Sequence, residues 1–317
     1  MSVHYYQVAR HRLCIQLPDA LQPAQVIPSF SPFQCEGEGD VVFTMEVSVG
    51  VAPDFCGMQE IGQFDCGGAN HGVYRSAAGE YGFEISLPAC DGGQLSCCML
   101  ASADFRHCRA VLTGEYLGQH QFGLNNALMM AFAFATAEQD TLLVHASVIR
   151  NNGYGYLFTA PSGTGKSTHT HLWYKHISGS DLMNDDNPVV RIVDGRALIF
   201  GSPWSGKTPC YRNIWAPVGA ITRIEQKPEN TIRRMATVEA FAMLLPAVSS
   251  MKWDARVYRG ICHCLSRLIA LTPIFLLGCR PDEEAARVCY EAVKVDCSSQ
   301  NEASEPGQNS RLQTSEL

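Results

Sequence analysis

Along the first 120 residues, apolar and polar side chains alternate with a period of two. Phe43, Met45, Val47 and Val49 are separated by Thr44, Glu46 and Ser48, and Tyr81, Phe83, Ile85 and Leu87 by Gly82, Glu84 and Ser86. Successive side chains of a strand point to opposite faces, so this alternation predicts half-buried strands. Glycine-containing turns, Cys66-Gly67-Gly68 and Asp91-Gly92-Gly93, separate such runs. Residues 1–120 are therefore expected to form a β-rich N-terminal domain. The pattern then changes. Residues 124–138 are apolar around most of a helical circumference, which predicts a helix buried between two domains. Residues 121–139 are assigned as this linking helix.

From residue 140 the pattern alternates between strands and helices. A strand is expected over Leu142–Arg150, a turn at Asn151-Asn152-Gly153 and a second strand over Tyr154–Thr159. A glycine-rich loop and a helix over Lys166–His176 follow. Asp185-Asp186 precede a hairpin of Val189–Val193 and Arg196–Phe200, turned by Asp194-Gly195. After a loop over Gly201–Pro209 come a buried strand, Ala216–Ile224, and a helix reaching Ala247 with Thr237 as its N-cap. A helix over Ala255–Leu271, a strand over Ile274–Gly278 and a helix over Glu283–Lys294 complete this second domain, residues 140–297. From Ser298 to residue 317 the chain is polar and is expected to be disordered.

Composition narrows the function classes. Of 317 residues, 46% are hydrophobic and 17% charged, enough apolar material for a packed core. A net charge of -7 without a Lys/Arg cluster argues against a nucleic-acid partner. Met1–Arg10 lacks the basic start and apolar run of an export signal, and Ala127–Ala137 is too short to cross a bilayer. The protein is expected to be cytoplasmic, without a membrane partner. Its 14 cysteines include no Cys-x-x-Cys pair, so they read as reduced thiols and not as a zinc site.

The chemistry concentrates in Ala160-Pro161-Ser162-Gly163-Thr164-Gly165-Lys166-Ser167. Gly163 and Gly165 let the backbone curl so that N–H groups face phosphate oxygens, and the following helix adds its N-terminal dipole. Lys166 supplies a charge for the β- and γ-phosphates, and the Ser167 hydroxyl can ligate magnesium. Ala160 stands where the strict pattern has glycine. Asp185-Asp186 fit two readings, a solvated turn or a pair that divides metal binding from proton acceptance. His145, in Val144-His145-Ala146-Ser147, fits a core histidine or a functional one. Lys207 fits a solvent-facing lysine or a phosphate ligand. His169 and His171 read as structural.

Together these residues resemble the HPr kinase/phosphorylase and phosphoenolpyruvate carboxykinase superfamily. The resemblance rests on the His145–Ser147 strand, the hairpin into the phosphate loop and the Asp pair one helix later. The chain also looks like HPr-kinase-like bacterial proteins with a Gly-x-Pro-Trp-x-Gly-Lys segment, here Gly201–Lys207, and the likeness covers about residues 140–295. It implies an α/β (α+β) fold, in which a P-loop kinase domain with a mixed sheet follows the β-rich domain. It implies nucleotide binding by Ser162, Gly163, Thr164, Gly165, Lys166, Ser167, Thr168 and Lys207. It implies catalytic roles for Asp185, His145 and Lys166, with Asp185 as general base and His145 beside it. Ser167 and Asp186 would bind Mg2+ or Mn2+, with ATP as co-substrate. Two departures matter. No Glu-x-Arg-Gly follows the aspartates, and the N-terminal half differs from that of HPr kinases. HPr is therefore not expected as substrate. The expected activity is ATP-dependent phosphorylation of a hydroxyl, serine foremost, on a peptide, protein or small molecule. The alternatives are a nucleotide-binding regulatory or accessory module with weak ATPase activity and, less favoured, a carboxykinase-like enzyme. A homo-oligomer stays open.

Overall fold

The computed structural model describes residues 1–295 except 38, 66–69, 92 and 207. The turn expected at Cys66–Gly68, Gly92 of the second turn, Lys207 and the tail from Ser298 lie outside the described residues.

The alternating N-terminal half forms an eight-stranded sheet. Its strands are β1 (Ser2–Val8), β2 (His11–Leu17), β3 (Phe43–Val49), β4 (Gln59–Asp65), β5 (Asn70–Arg75), β6 (Tyr81–Ser86), β7 (Leu95–Ala101) and β8 (His107–Leu112). Their spatial order is β1-β2-β3-β8-β7-β6-β5-β4, with β3 parallel to β2 and β8 and the other pairs antiparallel. Between β2 and β3 lies a short helix, α1 (Pro23–Val26). The long apolar helix, α2 (Leu117–Ala135), starts earlier than its pattern predicts and packs on β3, β6, β7 and β8.

The second half forms a nine-stranded mixed sheet: β9 (Thr141–Leu143), β10 (Ala146–Asn151), β11 (Tyr154–Thr159), β12 (Asp181–Asp186), β13 (Val189–Val193), β14 (Arg196–Phe200), β15 (Trp215–Gln226), β16 (Thr231–Arg234) and β17 (Ile274–Cys279). The path runs β12-β10-β11-β15-β14-β13-β9, while β17 pairs with β15 and β16. β15 runs parallel to both β11 and β17. One face of β11 and β15 is covered by α3 (Lys166–His176) and α6 (Glu283–Val293), where Tyr156, Phe158, Trp173 and Cys289 pack together. α4 (Thr237–Leu244) and α5 (Ala255–Leu271) join the larger core with Leu157 and Ile221.

Three expectations are corrected. The single strand expected over Leu142–Arg150 is two strands. β9 pairs with β13, β10 with β11 and β12, and the chain changes partners at Val144-His145. There the Val144 N–H donates to the Pro188 carbonyl and the His145 N–H to that of Ala247, which takes His145 out of the ladder. Asp185-Asp186 end strand β12 and do not form a turn. Thr237 is the first residue of α4, and Ala236 occupies the cap without a side-chain bond.

The boundary expected near residue 120 marks a change of sheet, but the largest buried apolar cluster crosses it, from Tyr6 to Ile274. Phe132 of α2 meets Trp204 of the second half at 5.2 Å and His11 of the first at 5.9 Å. The His11 Nε2 lies 2.8 Å from the Thr141 hydroxyl. Truncating Phe132 to alanine should therefore cost about 3–5 kcal/mol, the usual loss for a fully buried aromatic ring. Urea unfolding followed by far-ultraviolet circular dichroism should give one shared transition at a lower midpoint. Two separated transitions would contradict a core common to both sheets.

Candidate active site

The glycine-rich loop joins β11 to α3. Gly163 and Gly165 have φ of +76° and +112°, conformations that side chains rarely adopt. Within the loop the Thr164 N–H donates to the Pro161 carbonyl. Gln226, the last residue of β15, donates to the Thr164 carbonyl at 3.2 Å. Ser162 and Thr168 are exposed, Thr164 is half-buried, and Ser167 is exposed on the first turn of α3.

Lys166 is buried at the same helix start. Its ammonium donates to the Ala160 carbonyl at 3.1 Å and to His145 Nε2 at 2.8 Å. Burial pushes its pKa below the ordinary lysine value; the Asp186 and Asp185 charges partly offset this and Arg223 adds to it. An ammonium has no acceptor, so His145 must accept through Nε2 and carry its proton on Nδ1. That nitrogen lies 3.1 Å from Asp186 Oδ1 and so donates to it. Lys166, His145 and Asp186 thus form one directed chain of hydrogen bonds.

Asp185 faces the other way. Its Oδ1 accepts from the Ser167 hydroxyl at 2.9 Å, and the residue is buried. Neighbouring residues of a strand point to opposite faces, which separates the two carboxylates. The structure brings His145 and both aspartates to the loop, but with pairings opposite to those implied by the resemblance. His145 lies beside Asp186, and the Ser167 hydroxyl lies beside Asp185. The backbone at Asp186 has φ of +131°, a strained value for a residue with a side chain.

The support for this geometry was not singled out in the sequence. β12 is an edge strand of the path, and the Gly201–Gly206 segment lies along it. The Gly206 N–H and the Ser205 hydroxyl both donate to the Asp185 carbonyl, and Asp186 bridges to Ser205. Buried Asn184 donates to Ser202 Oγ and to the Trp204 carbonyl, each at 3.2 Å, and accepts from the Asn187 N–H. A Cβ on Gly206 would approach that of Asp186 to 3.1 Å. On α3, Thr170 Oγ1 lies 2.7 Å from both the Ser147 hydroxyl and the Lys166 carbonyl. The available signals were the Asn beside the Asp pair and the one-turn spacing of Lys166 and Thr170.

A cleft of about 360 Å³ opens beside the Ser167–Asp185 pair, with Ser147, Ile149, Tyr174 and Leu182 on its walls. A larger groove of about 490 Å³ lies at the far end of β10 and β11, by the Asn151–Gly153 turn, and carries none of this chemistry. His169 is buried, accepts from the Trp173 indole at 3.1 Å and packs on Phe158, which makes it structural. The 12 described cysteines are free thiols, and burial pushes those of Cys108 and Cys289 up to about 12.

No family model and no curated protein matches the sequence. Among solved structures, the chain is similar to the HPr(Ser) kinase/phosphatase from Coxiella burnetii. That likeness has a TM-score of 0.30 and 11% identity and covers 47% of this chain and 95% of that chain. Among the described residues, no helix is long and apolar enough to cross a membrane.

Two outcomes follow from the geometry. Asn184→Ala should destabilise the protein by about 1–3 kcal/mol, because it leaves buried partners without bonds; a denaturant titration reads this directly. Burial depresses His169 to about 4 and His11 to about 3. Their unfolded forms take up protons near pH 6.5, so their stabilising contribution is intact above that pH. It is lost as pH falls from 6.5 through 4, and the melting temperature should drop across that window. His169→Gln should flatten the drop; an unchanged slope would show that His169 is not a source of it.

Proposed function

We propose that the protein is an ATP- and magnesium-dependent phosphotransferase of HPr-kinase-like P-loop architecture, acting on a hydroxyl, serine foremost. The observation that carries this reading is the convergence of the Lys166–His145–Asp186 chain and the Ser167–Asp185 pair on one phosphate loop. Phosphoryl transfer asks little covalent chemistry of a protein. It needs positioned phosphates, a screened charge and an aimed nucleophile.

The loop, Lys166 and the start of α3 bind the nucleotide phosphates. Ser167 and Asp185 fit magnesium because they present hard oxygens 2.9 Å apart. Among the described residues no cluster of three or more His, Cys, Asp or Glu could hold an ion alone. A two-oxygen site suits magnesium, which keeps waters and shares nucleotide phosphates, and when bound it screens phosphate charge. Asp186 is the base. Its side chain is one-third exposed; the His145 Nδ1–H fixes Oδ1, and Oδ2, which accepts from the Asn187 side-chain amide at 2.7 Å, takes the proton through its remaining lone pair. The acceptor oxygen bonds the γ-phosphorus as the bond from that phosphorus to the β–γ bridging oxygen breaks. The hydroxyl proton passes to Asp186, and the nucleoside diphosphate departs. The acceptor's identity and the N-terminal sheet's part in choosing it belong to the same proposal.

Nucleotide binding is tested with a fluorescent ATP analogue, and transfer with γ-labelled ATP against serine, serine peptides and small alcohols. Lys166→Ala should abolish binding. Asp186→Asn should lower transfer by about 100-fold or more, the usual weight of a general base, while binding changes little. Asp185→Asn should instead weaken the magnesium dependence of binding. Binding without transfer to any acceptor would favour the accessory module. Full activity in Asp186→Asn would remove Asp186 as base.

A further inference from the structure

Asp186 pairs with Ala146, Ala146 with Thr159, and Thr159 with Arg223. These four residues form one row across β12, β10, β11 and β15. The adjacent row, Asp185, Ser147, Phe158 and Thr222, contains the residues that meet α3 and α6. Because facing alternates along each strand, Thr159 and Arg223 lie on the face away from α3, at the base of the phosphate loop.

Both carry unpartnered polar atoms. Thr159 is fully buried, and its hydroxyl bonds to nothing among the described residues. The same holds for the buried Nε of Arg223, a residue without any ion pair among the described residues. Such atoms are costly to leave unpaired, and two side by side in one register pair call for an acceptor. The charge balance agrees. The charges of Asp186 and Asp185 both act on Lys166, so that sheet end has no positive charge in excess before a triphosphate arrives. Arg223 is near enough for its charge to act on Lys166.

We propose that Arg223, with Thr159 beneath it, forms a second oxyanion site that binds a phosphoryl group from the face opposite α3. Its guanidinium fork suits two oxygens of one phosphoryl group, while Lys166 acts on the other side of the loop as a point charge. The phosphoryl group is either the terminal one of the donor or free phosphate beside a bound diphosphate. This site rests on the nucleotide-binding reading above.

The test measures three affinities in magnesium buffer free of phosphate: ADP, the β,γ-imido analogue of ATP, and inorganic phosphate in the presence of ADP. Wild type, Arg223→Gln and Arg223→Lys are compared after circular dichroism confirms that each is folded. In Arg223→Gln, ADP affinity should stay within about two-fold. Affinity for the imido analogue, or for phosphate beside ADP, should fall about ten-fold or more, the size of a lost charge-assisted hydrogen bond. Loss for the imido analogue assigns the site to the donor's terminal phosphoryl group; loss confined to phosphate assigns it to the free ion. Arg223→Lys should recover part of the loss, and it serves as the test variant if Arg223→Gln does not fold. Unchanged affinity for both ligands overturns the site while leaving the nucleotide reading intact. If the wild type binds no ADP, that earlier reading fails, and the site fails with it.

Discussion

A buried ammonium has to be given acceptors, and the acceptors of Lys166 organise the whole end of the nine-stranded sheet. Its position at the start of α3 is set by the glycine-rich loop, which leaves two directions for its three protons. One leads back to the Ala160 carbonyl and the other across to His145. Because the ammonium can only donate, it decides the tautomer of His145, and that tautomer decides which carboxylate His145 orients. The proton on Nδ1 has Asp186 in front of it. Lys166 is therefore connected to Asp186 through the imidazole alone, with no backbone group in that chain of bonds.

The second constraint is the two-residue period of a strand. Adjacent aspartates on a turn could share a ligand; on β12 they cannot, because each faces its own side. Asp185 is bound to the hydroxyl of α3, while Asp186 accepts from the imidazole through Oδ1 and from the Asn187 side-chain amide through Oδ2, on a partly open face. The strained φ of Asp186 is held by its surroundings: the bridge to Ser205, the close approach of Gly206, and the Asn184–Ser202–Trp204 bonds behind it. Strain kept in place by this many bonds is a common property of functional positions. It also gives the Gly201–Gly206 segment a structural task that does not depend on Lys207.

Much of this was legible in the sequence where the determinants are consecutive. The loop needs glycines, a lysine and a serine within eight residues, and the Asn151-Asn152-Gly153 turn marks the hairpin that leads into it, so order and candidate chemistry are both visible. β12 was not legible. Asp181-Leu182-Met183-Asn184-Asp185-Asp186 has neither alternation nor β-branched residues. It is a strand because β10 on one side and the Ser205-Gly206 backbone on the other satisfy its polar groups. The break at Val144-His145 was hidden for a related reason. The run from Leu142 to Arg150 is apolar enough for one strand, and only its partners, β13 before the break and β11 after it, show that it is two. The expected neighbour of His145 was missed with the strand, since a turn has no faces to tell the two aspartates apart. The resemblance to HPr kinases pointed to residues that do lie together at this sheet end, but it implied the opposite pairing of His145 and Ser167 with the two aspartates.

Breaking that run is what makes His145 available. Within a continuous strand, its backbone would pair with a neighbouring strand and its side chain would be fixed to one face of the sheet. Because its N–H is instead taken by the Ala247 carbonyl, the residue stands at the gap between β9 and β10, level with the end of β12 and beside the loop after β11. The gap depends on the loop after α4, which supplies Ala247 and the Val248 bridge to Val144. Those residues belong to the core shared with the N-terminal sheet. The orientation of the imidazole between Lys166 and Asp186 is thus tied to packing well outside the glycine-rich loop. The two halves of the chain meet mechanically at this site even though its side chains lie in one of them.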